Sequence, residues 1–273
     1  MSGLKHPTSL LIIATAMCAA LYAVGSFATA SIPSPLLFGQ FRPAVIVPAV
    51  FGVIFGPIPA AIGAALGTLI ADSAKHGTLY MGSVMAAVPG NFIGFYIFGY
   101  ILKKRFTWTR FIFASVTTLT VGNLITAFLY VFVYKALYAQ ALAFYVGDLT
   151  FLSISLFLYW FVTMLPFILL VVPPLIRAIS NAMPNIVPEG IRVHSLEKDL
   201  PMRSFSLTMI VPGIVMLSSG LATTFTSLRA VTLSAVKGDT TVLALLEWSY
   251  YLSGIVLVVL GILVLIRQKM LKP

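Results

Sequence analysis

Charge is scarce in this chain: only 9% of its 273 residues are Asp, Glu, Lys or Arg, while 60% are hydrophobic. A soluble globular domain is excluded at that ratio. One cysteine, Cys18, rules out an internal disulfide, and its place inside an apolar run reads as a small buried side chain. The three histidines, His6, His76 and His194, lack metal-ligand spacing and read as solvated loop residues. No Ser/His/Asp arrangement stands out, so catalysis is not expected. A G-x-x-x-x-G-K-[ST] loop is missing, as is any polar stretch large enough for a nucleotide-binding domain. Neither an enzyme nor an ATPase is therefore contained here, and no cofactor is expected. The net charge of +10 does not point to nucleic acid, because the basic residues stand at the ends of apolar runs rather than in a patch interleaved with stacking aromatics.

What fills the chain instead is a series of long apolar runs: Thr8 to Ala30, Arg42 to Asp72, Leu79 to Leu102, Arg110 to Tyr134, Leu149 to Ile176, Phe205 to Leu228 and Leu243 to Ile266. They are too long and too uniformly apolar for barrel strands, and backbone polar groups in lipid must be satisfied within the segment. The expected fold is all-α, a polytopic protein of the plasma membrane. The first run follows Lys5 and His6 and mimics a signal peptide, but it is longer than a signal core and lacks a convincing cleavage site, so it counts as the first helix.

The stretch from Arg42 to Asp72 needs separate treatment. A helix crosses a ~30 Å hydrocarbon core with about 20 residues, so one rod would be too long and two would be short. Gly56-Pro57-Ile58-Pro59 decides the matter. Pro removes helical donors and pushes the residue before it out of the helical well, and Gly permits the turn. The spacing predicts a tight hairpin of two short helices, which brings the total to eight.

Basic residues Lys103, Lys104, Arg105, Arg110, Arg177, Arg192, Lys198, Arg203, Arg267, Lys269 and Lys272 then fall on one side with Lys5. By the positive-inside rule that side, with both termini, is cytoplasmic. Arg42, Lys75, Lys135, Arg229 and Lys237 remain outside. The polar, Pro-containing segment from Ala178 to Ser204 reads as a cytoplasmic linker. Three parts are expected: a six-helix unit over 1–178, the linker over 179–205 and a two-helix extension over 206–273.

Small residues recur at four-residue spacing: Ala16 with Ala20, Ala19 with Ala23, Gly52 with Gly56, Gly63 with Gly67, and Gly90 with Gly94. Such stripes let helices approach closely, and internal packing is the plain reading for the glycines. On the first helix the alternative is a docking face for a partner membrane subunit. Polar groups at membrane depth are costly and often functional. Asn91 lies in the fourth helix; Asn123 lies in the fifth, with Tyr130 and Tyr134 on its face at i+7 and i+11. An amide can read both donors and acceptors of a small polar ligand, or serve as interhelical glue. Arg42, Asp72, Lys75 and Asp148 gather at the outer ends, where they can orient a ligand or anchor the interface; Asp148 also suits a helix start. The candidate substrate-binding residues are Arg42, Asn91, Asn123, Tyr130 and Asp148. Phe41, Tyr80, Tyr145 and Trp248 read as belt or core aromatics, and Glu247 as an acid opening the last helix.

The order ATAMCAALYAVGS, SIPSPLLFGQFRPA, VIVPAVFGVIFGPIPAAIGAALGTLIADS and GSVMAAVPGNFIGFYIFGYILKK resembles the substrate-binding S components of energy-coupling factor (ECF) transporters. The segment from Gly52 to Gly67 is the most specific part, and the resemblance spans roughly residues 8 to 178. It implies a six-helix unit that captures a vitamin, vitamin precursor or similar micronutrient from outside with helices 4 to 6 and the loop after helix 1. It also implies a transmembrane T subunit, seated on the small-residue motif matched here by Ala16 and Ala20, and two ABC-type ATPases. The pair of helices after Phe205 departs from a minimal S component. A sensory or structural membrane module and an ion-coupled carrier are the competing readings; the latter would want a mid-membrane carboxylate, and Asp72, Asp148 and Glu247 all lie near helix ends.

Overall fold

The computed structural model describes residues 7–32, 34, 39–142, 145–236 and 238–270. Lys5, His6, Lys237 and Lys272, used above in the charge reading, and most of the loop segment 33–38 lie outside the described residues. Among those described, every regular element is a helix and there is no strand. Seven helices are long and apolar enough to cross a membrane, and one shorter apolar helix accompanies them.

The first long helix, α1 (Thr8–Ala28), leads through a loop and a 3-10 turn (Pro43–Val45) into the short α2 (Ile46–Phe55) and then α3 (Pro57–His76). The break between α2 and α3 falls on Gly56, at φ +87° and ψ −167°, a region essentially reserved for glycine. Pro57 restarts the helix at its first position, where a missing N–H costs nothing. The two arms are unequal: α2 has 10 residues and α3 has 20. Only the first arm is short.

Next come α4 (Val88–Lys103), preceded by a π-helical turn (Ser83–Ala87), and α5 (Trp108–Phe128), continued by a longer π segment (Leu129–Tyr138). The following helix, α6 (Val146–Ala182), runs for 37 residues through Pro166, Pro173 and Pro174. It exceeds the predicted run at both ends, and Asp148 sits in its first turn. Two one-turn helices, α7 (Glu189–Arg192) and α8 (Leu196–Asp199), lead to α9 (Met202–Phe225), the short α10 (Leu228–Ala235) and α11 (Thr240–Met270). The short α2 turns the chain back, so α1 and α3 run the same way, with Gly63 at Cys18 and Gly67 at Tyr22, while α4 reverses against α3 and α5 against α4. One end of the bundle therefore carries Lys103 to Arg110, Arg177 and Arg192; the other carries Arg42, Asp72, Lys75 and Lys135.

Small residues set the closest crossings. Gly63 faces the Cys18 side chain and Gly67 faces Ala19 and Tyr22, so α1 lies against α3. Gly90 and Gly94 meet Gly122 and Thr126 between α4 and α5, and Gly213 meets Gly254 between α9 and α11. Cys18, Ala19 and Ala23 are buried in this packing, whereas Ala16 and Ala20 are exposed beside Ile12, Ile13, Met17 and Val24.

The polar segment after α6 is folded back on the bundle rather than extended. Trp108 donates its indole N–H to Ser195 O at 3.1 Å, Arg177 donates to Arg192 O at 2.9 Å, and Val187 and Ile191 are buried. The α9–α11 unit packs on α6, with α9 also touching α5. Tyr250 donates to Ser155 Oγ at 3.0 Å across that contact. Glu247 does not open the last helix. Asp239 caps it, accepting from Thr241 N at 2.8 Å, and Glu247 lies two turns inside, paired with Arg229 at 2.9 Å. The helix begins earlier than its apolar run because polar Thr240 and Thr241 are tolerated in a capped first turn.

Gly99 fixes how closely α4 passes the α2–α3 turn: a Cβ there would lie 2.8 Å from the Gly56 carbonyl carbon and press on the Pro57 backbone. Backbone cannot step aside as a flexible side chain can. Gly99→Ala is expected to destabilise the protein by about 1–3 kcal/mol, read as a lowered thermal-unfolding midpoint in detergent. An unchanged midpoint would mean that the turn does not pack as described.

Candidate functional site

A cavity of about 210 Å³ opens at the Arg42 end of the bundle. Its walls come from the loop before α2 (Gly39, Gln40, Arg42), the last turns of α3 (Asp72, Lys75, His76), the α3–α4 connection (Tyr80), α4 (Asn91), α5 with its π segment (Asn123, Thr126, Tyr130, Lys135) and α6 (Trp160, Met164). Of the sequence candidates it brings together Arg42, Asn91, Asn123 and Tyr130. Asp148 is not in its lining and stands in the first turn of α6, where a negative charge meets the positive end of the helix dipole.

A buried ion pair organises one wall. Arg42 Nη2 lies 2.7 Å from Asp72 Oδ1, with side-chain exposures of 11% and 10%. Arg42 Nη1 donates to Thr68 Oγ1, and Ser83 Oγ donates to Asp72 Oδ2. Asn91 Nδ2 donates to the same Thr68 hydroxyl at 3.1 Å. The network ties the loop before α2 to α3 and α4. Burial works against the Arg42 charge, but the Asp72 carboxylate and the Tyr22 phenol outweigh it, and the guanidinium pKa is held above its ordinary value.

The loop is pinned from two further sides. Trp160 donates its indole N–H to Gln40 O at 3.2 Å, Gln40 Nε2 donates to Ser26 O at 3.0 Å, and Lys75 Nζ donates to Ala30 O at 2.7 Å and Gln40 Oε1 at 3.1 Å. Phe41, between two lining residues, turns the other way and meets Phe167 edge-on at 5.6 Å. Tyr145 and Trp248 are exposed.

Aromatic rings close the opposite side. The Tyr80 and Tyr130 hydroxyls lie 2.8 Å apart, and Tyr80 meets Tyr134 edge-on at 5.4 Å. Burial, then the Tyr130 phenol, pushes the Tyr80 hydroxyl pKa up. His76 is not a loop residue. It ends α3, stacks on Tyr80 at 3.8 Å with the rings 4° from parallel, and places Nδ1 2.7 Å from Asp72 O. The wider turns of the π segment bear on register: Tyr130 lines the cavity with Asn123, while Tyr134 sits behind it against Tyr80.

Asn123 stands apart chemically. It is 7% exposed, it lines the cavity, and its one partner among the described residues is the Met164 sulfur at 3.8 Å. A thioether is a weak acceptor, so the amide keeps donor and acceptor capacity for an occupant of the cavity. Gln40, Ser83, Thr126, Trp160 and Met164 were missed by sequence reasoning. Each looks like ordinary loop or span composition until the tertiary fold brings it to the cavity.

Fold and cavity together define a polytopic membrane protein with a polar, partly aromatic cavity between its helices. Among the described residues no cluster of His, Cys, Asp or Glu suits a metal ion. The chain belongs to the family of ECF-type riboflavin transporter S components, whose family model matches residues 8–172. It is thus a membrane substrate-binding subunit of an ECF transporter, a transport family rather than an enzyme class. The match ends within α6, and α7 to α11 lie beyond it. No match was found among curated proteins or among solved structures.

Neutralising one partner of the Arg42–Asp72 pair strands the other charge in a nearly dry wall. Asp72→Asn and Arg42→Met are each expected to cost about 3–5 kcal/mol, read from unfolding midpoints. The double variant should cost clearly less than the sum of the two. Additive losses would show that the pair is not coupled.

Proposed function

We propose that the ligand is riboflavin or a closely related flavin, captured from the outer side of the membrane between the loop before α2 and helices α4 to α6. The observation that carries this reading is the cavity itself, with the under-used Asn123 amide at its wall and aromatic rings at its side. A flavin offers both a planar ring for Tyr80 and Tyr130 and a row of carbonyl and imide groups for amides to read. Riboflavin is the substrate named in the description of the matching family. Arg42, Asn91, Asn123 and Tyr130 are the binding residues in this reading; Asp148 serves as a helix-start charge.

Sidedness follows the positive-inside rule: the basic end, with both termini, is cytoplasmic and the Arg42 end is outer. Residues 1–178 form the capture unit, 179–205 the linker and 206–273 the extension. Coupling to a transmembrane T subunit, and through it to two ABC-type ATPases, runs through α1. Its inner stripe, Ala19 and Ala23, is used against the bundle, while Ala16 and Ala20 lie on an exposed apolar face. The extension packs on α6, with α9 also against α5.

Riboflavin added to the ligand-free protein should be quenched on binding, and Asn91→Ala and Asn123→Ala should each weaken affinity about tenfold, the loss of about one neutral hydrogen bond. Ala16→Trp and Ala20→Trp should leave flavin binding intact and abolish copurification of the T subunit. Failure of the unaltered protein to bind riboflavin, with no flavin copurifying from cells, would overturn the flavin assignment.

A further inference from the structure

A second space in the molecule, between α6 and α11, takes no part in the function proposed above. It is an apolar crevice of about 400 Å³, walled by Val162, Phe167 and Leu170 of α6, Val256 and Leu260 of α11, and Phe41 from the loop before α2. Its two hydroxyl-bearing wall residues are satisfied within their own helices: Thr163 donates to Tyr159 O at 2.7 Å and Ser253 to Ser249 O. Water would find no partner there. A void of that size does not stay empty either, since the atoms facing it would forfeit their dispersion contacts. The lining falls in the middle of two membrane-spanning helices, and Val171, Leu252 and Val256 are exposed, so the crevice opens sideways at the depth of the hydrocarbon core. Hydrocarbon is the medium that can fill it.

Charge stands beyond one end of this crevice. Along α6, Arg177 is at i+7 from Leu170 and i+11 from Pro166; along α11, Arg267 is at i+7 from Leu260 and i+11 from Val256. Those spacings return to the crevice face of each helix, about two turns or roughly 10 Å further on. The two helices run the same way, with Ser155 meeting Tyr250 and, further along both, Leu170 and Leu260 sharing the crevice, so the two arginines come to the same, basic end of the bundle. Among the described residues neither pairs with a carboxylate. Arg177 places one donor on Arg192 O at 2.9 Å and keeps the rest of its fork.

We propose that the crevice holds one acyl chain of an anionic phospholipid from the leaflet at the basic end, with its phosphate between Arg177 and Arg267. Guanidinium forks match phosphate oxygens, and basic sites between membrane helices suit anionic headgroups. Phe41 is flanked in sequence by Gln40 and Arg42, so the acyl chain lies against the loop that edges the ligand cavity.

The test places the full-length protein in phosphatidylcholine nanodiscs that contain a small, equal fraction of either phosphatidylglycerol or phosphatidylcholine with a photoreactive group on one acyl chain. Labelled peptides are then located by mass spectrometry. Segments 162–171 and 252–260 should be labelled about fivefold more by the phosphatidylglycerol probe than by the phosphatidylcholine probe, each normalised to the exposed Met17 and Leu21 of α1. Arg177→Gln and Arg267→Gln should each lower that preference severalfold, and Arg267→Lys should keep most of it. Val256→Trp, which fills the crevice, should lower labelling of both segments by either probe. Because labelling is read against α1 in the same particles, a general loss of stability cannot imitate the effect, and the unaltered protein decides the matter even if a variant fails to fold. Equal labelling of the crevice by the two probes, or labelling no higher than that of α1, overturns the proposal. So does a particle that holds two copies of the chain with the crevice shielded from both probes.

Discussion

The Arg42–Asp72 ion pair is the interaction around which the rest of this structure is arranged. It joins two residues 30 positions apart, one at the entry to the α2–α3 hairpin and one near its end. Burying two charges is unfavourable unless the remaining hydrogen-bonding capacity is met. Here it is met by Thr68 and Ser83, and Thr68 in turn takes Asn91. Each added partner comes from a different part of the chain, so satisfying one ion pair fixes α3 and α4 relative to the loop before α2. That loop is the cavity's edge. The cavity is in this sense a by-product of solving a desolvation problem: once the pair is satisfied, Asn123 and the rings of Tyr80 and Tyr130 are held around a space that no side chain fills.

Much of the scaffold was legible because it depends on local rules. Gly56 and Pro57 announce a break wherever they occur in an apolar run, and the structure puts Gly56 in a conformation that other residues rarely adopt. The glycine stripes announce close crossings, and Gly63, Gly67, Gly90 and Gly94 all stand at helix contacts. Polar residues at membrane depth are conspicuous for the same reason: Asn91 and Asn123 contrast with everything around them. What the sequence hid is long-range. Nothing in the composition near Trp160 says that its indole will reach Gln40, 120 residues away. His76 looks like a loop residue because Gly77 follows it, yet that glycine ends α3 and leaves the imidazole stacked on Tyr80. The π segments were equally invisible, since apolar periodicity over ten residues does not separate a 3.6-residue turn from a wider one.

The extension beyond α6 illustrates how one helix can serve two neighbours. On one side, Trp160 and Met164 of α6 wall the cavity. On the other, Thr163, Pro166 and Phe167 border an apolar crevice against Leu252, Val256 and Leu260 of α11. Phe41 reaches into that crevice from the loop whose other residues, Gln40 and Arg42, line the cavity. The loop is thus gripped through α6 from both faces, by hydrogen bonds on the cavity side and by ring contact on the other.

That double grip gives the extra helices a physical role that needs no new chemistry. Pro166 removes a helical hydrogen bond in the middle of α6, at the level where the helix must present Trp160 and Met164 to the cavity. A helix weakened there and facing lipid on its far side would be free to bend. With α9 and α11 laid along it and Tyr250 bonded to Ser155, the bend is restrained by packed side chains rather than by lipid. The same placement leaves α1 with its apolar outer face clear on another side of the bundle. Bracing of the cavity wall and an exposed apolar face on α1 are therefore compatible within one chain, because they fall on different helices.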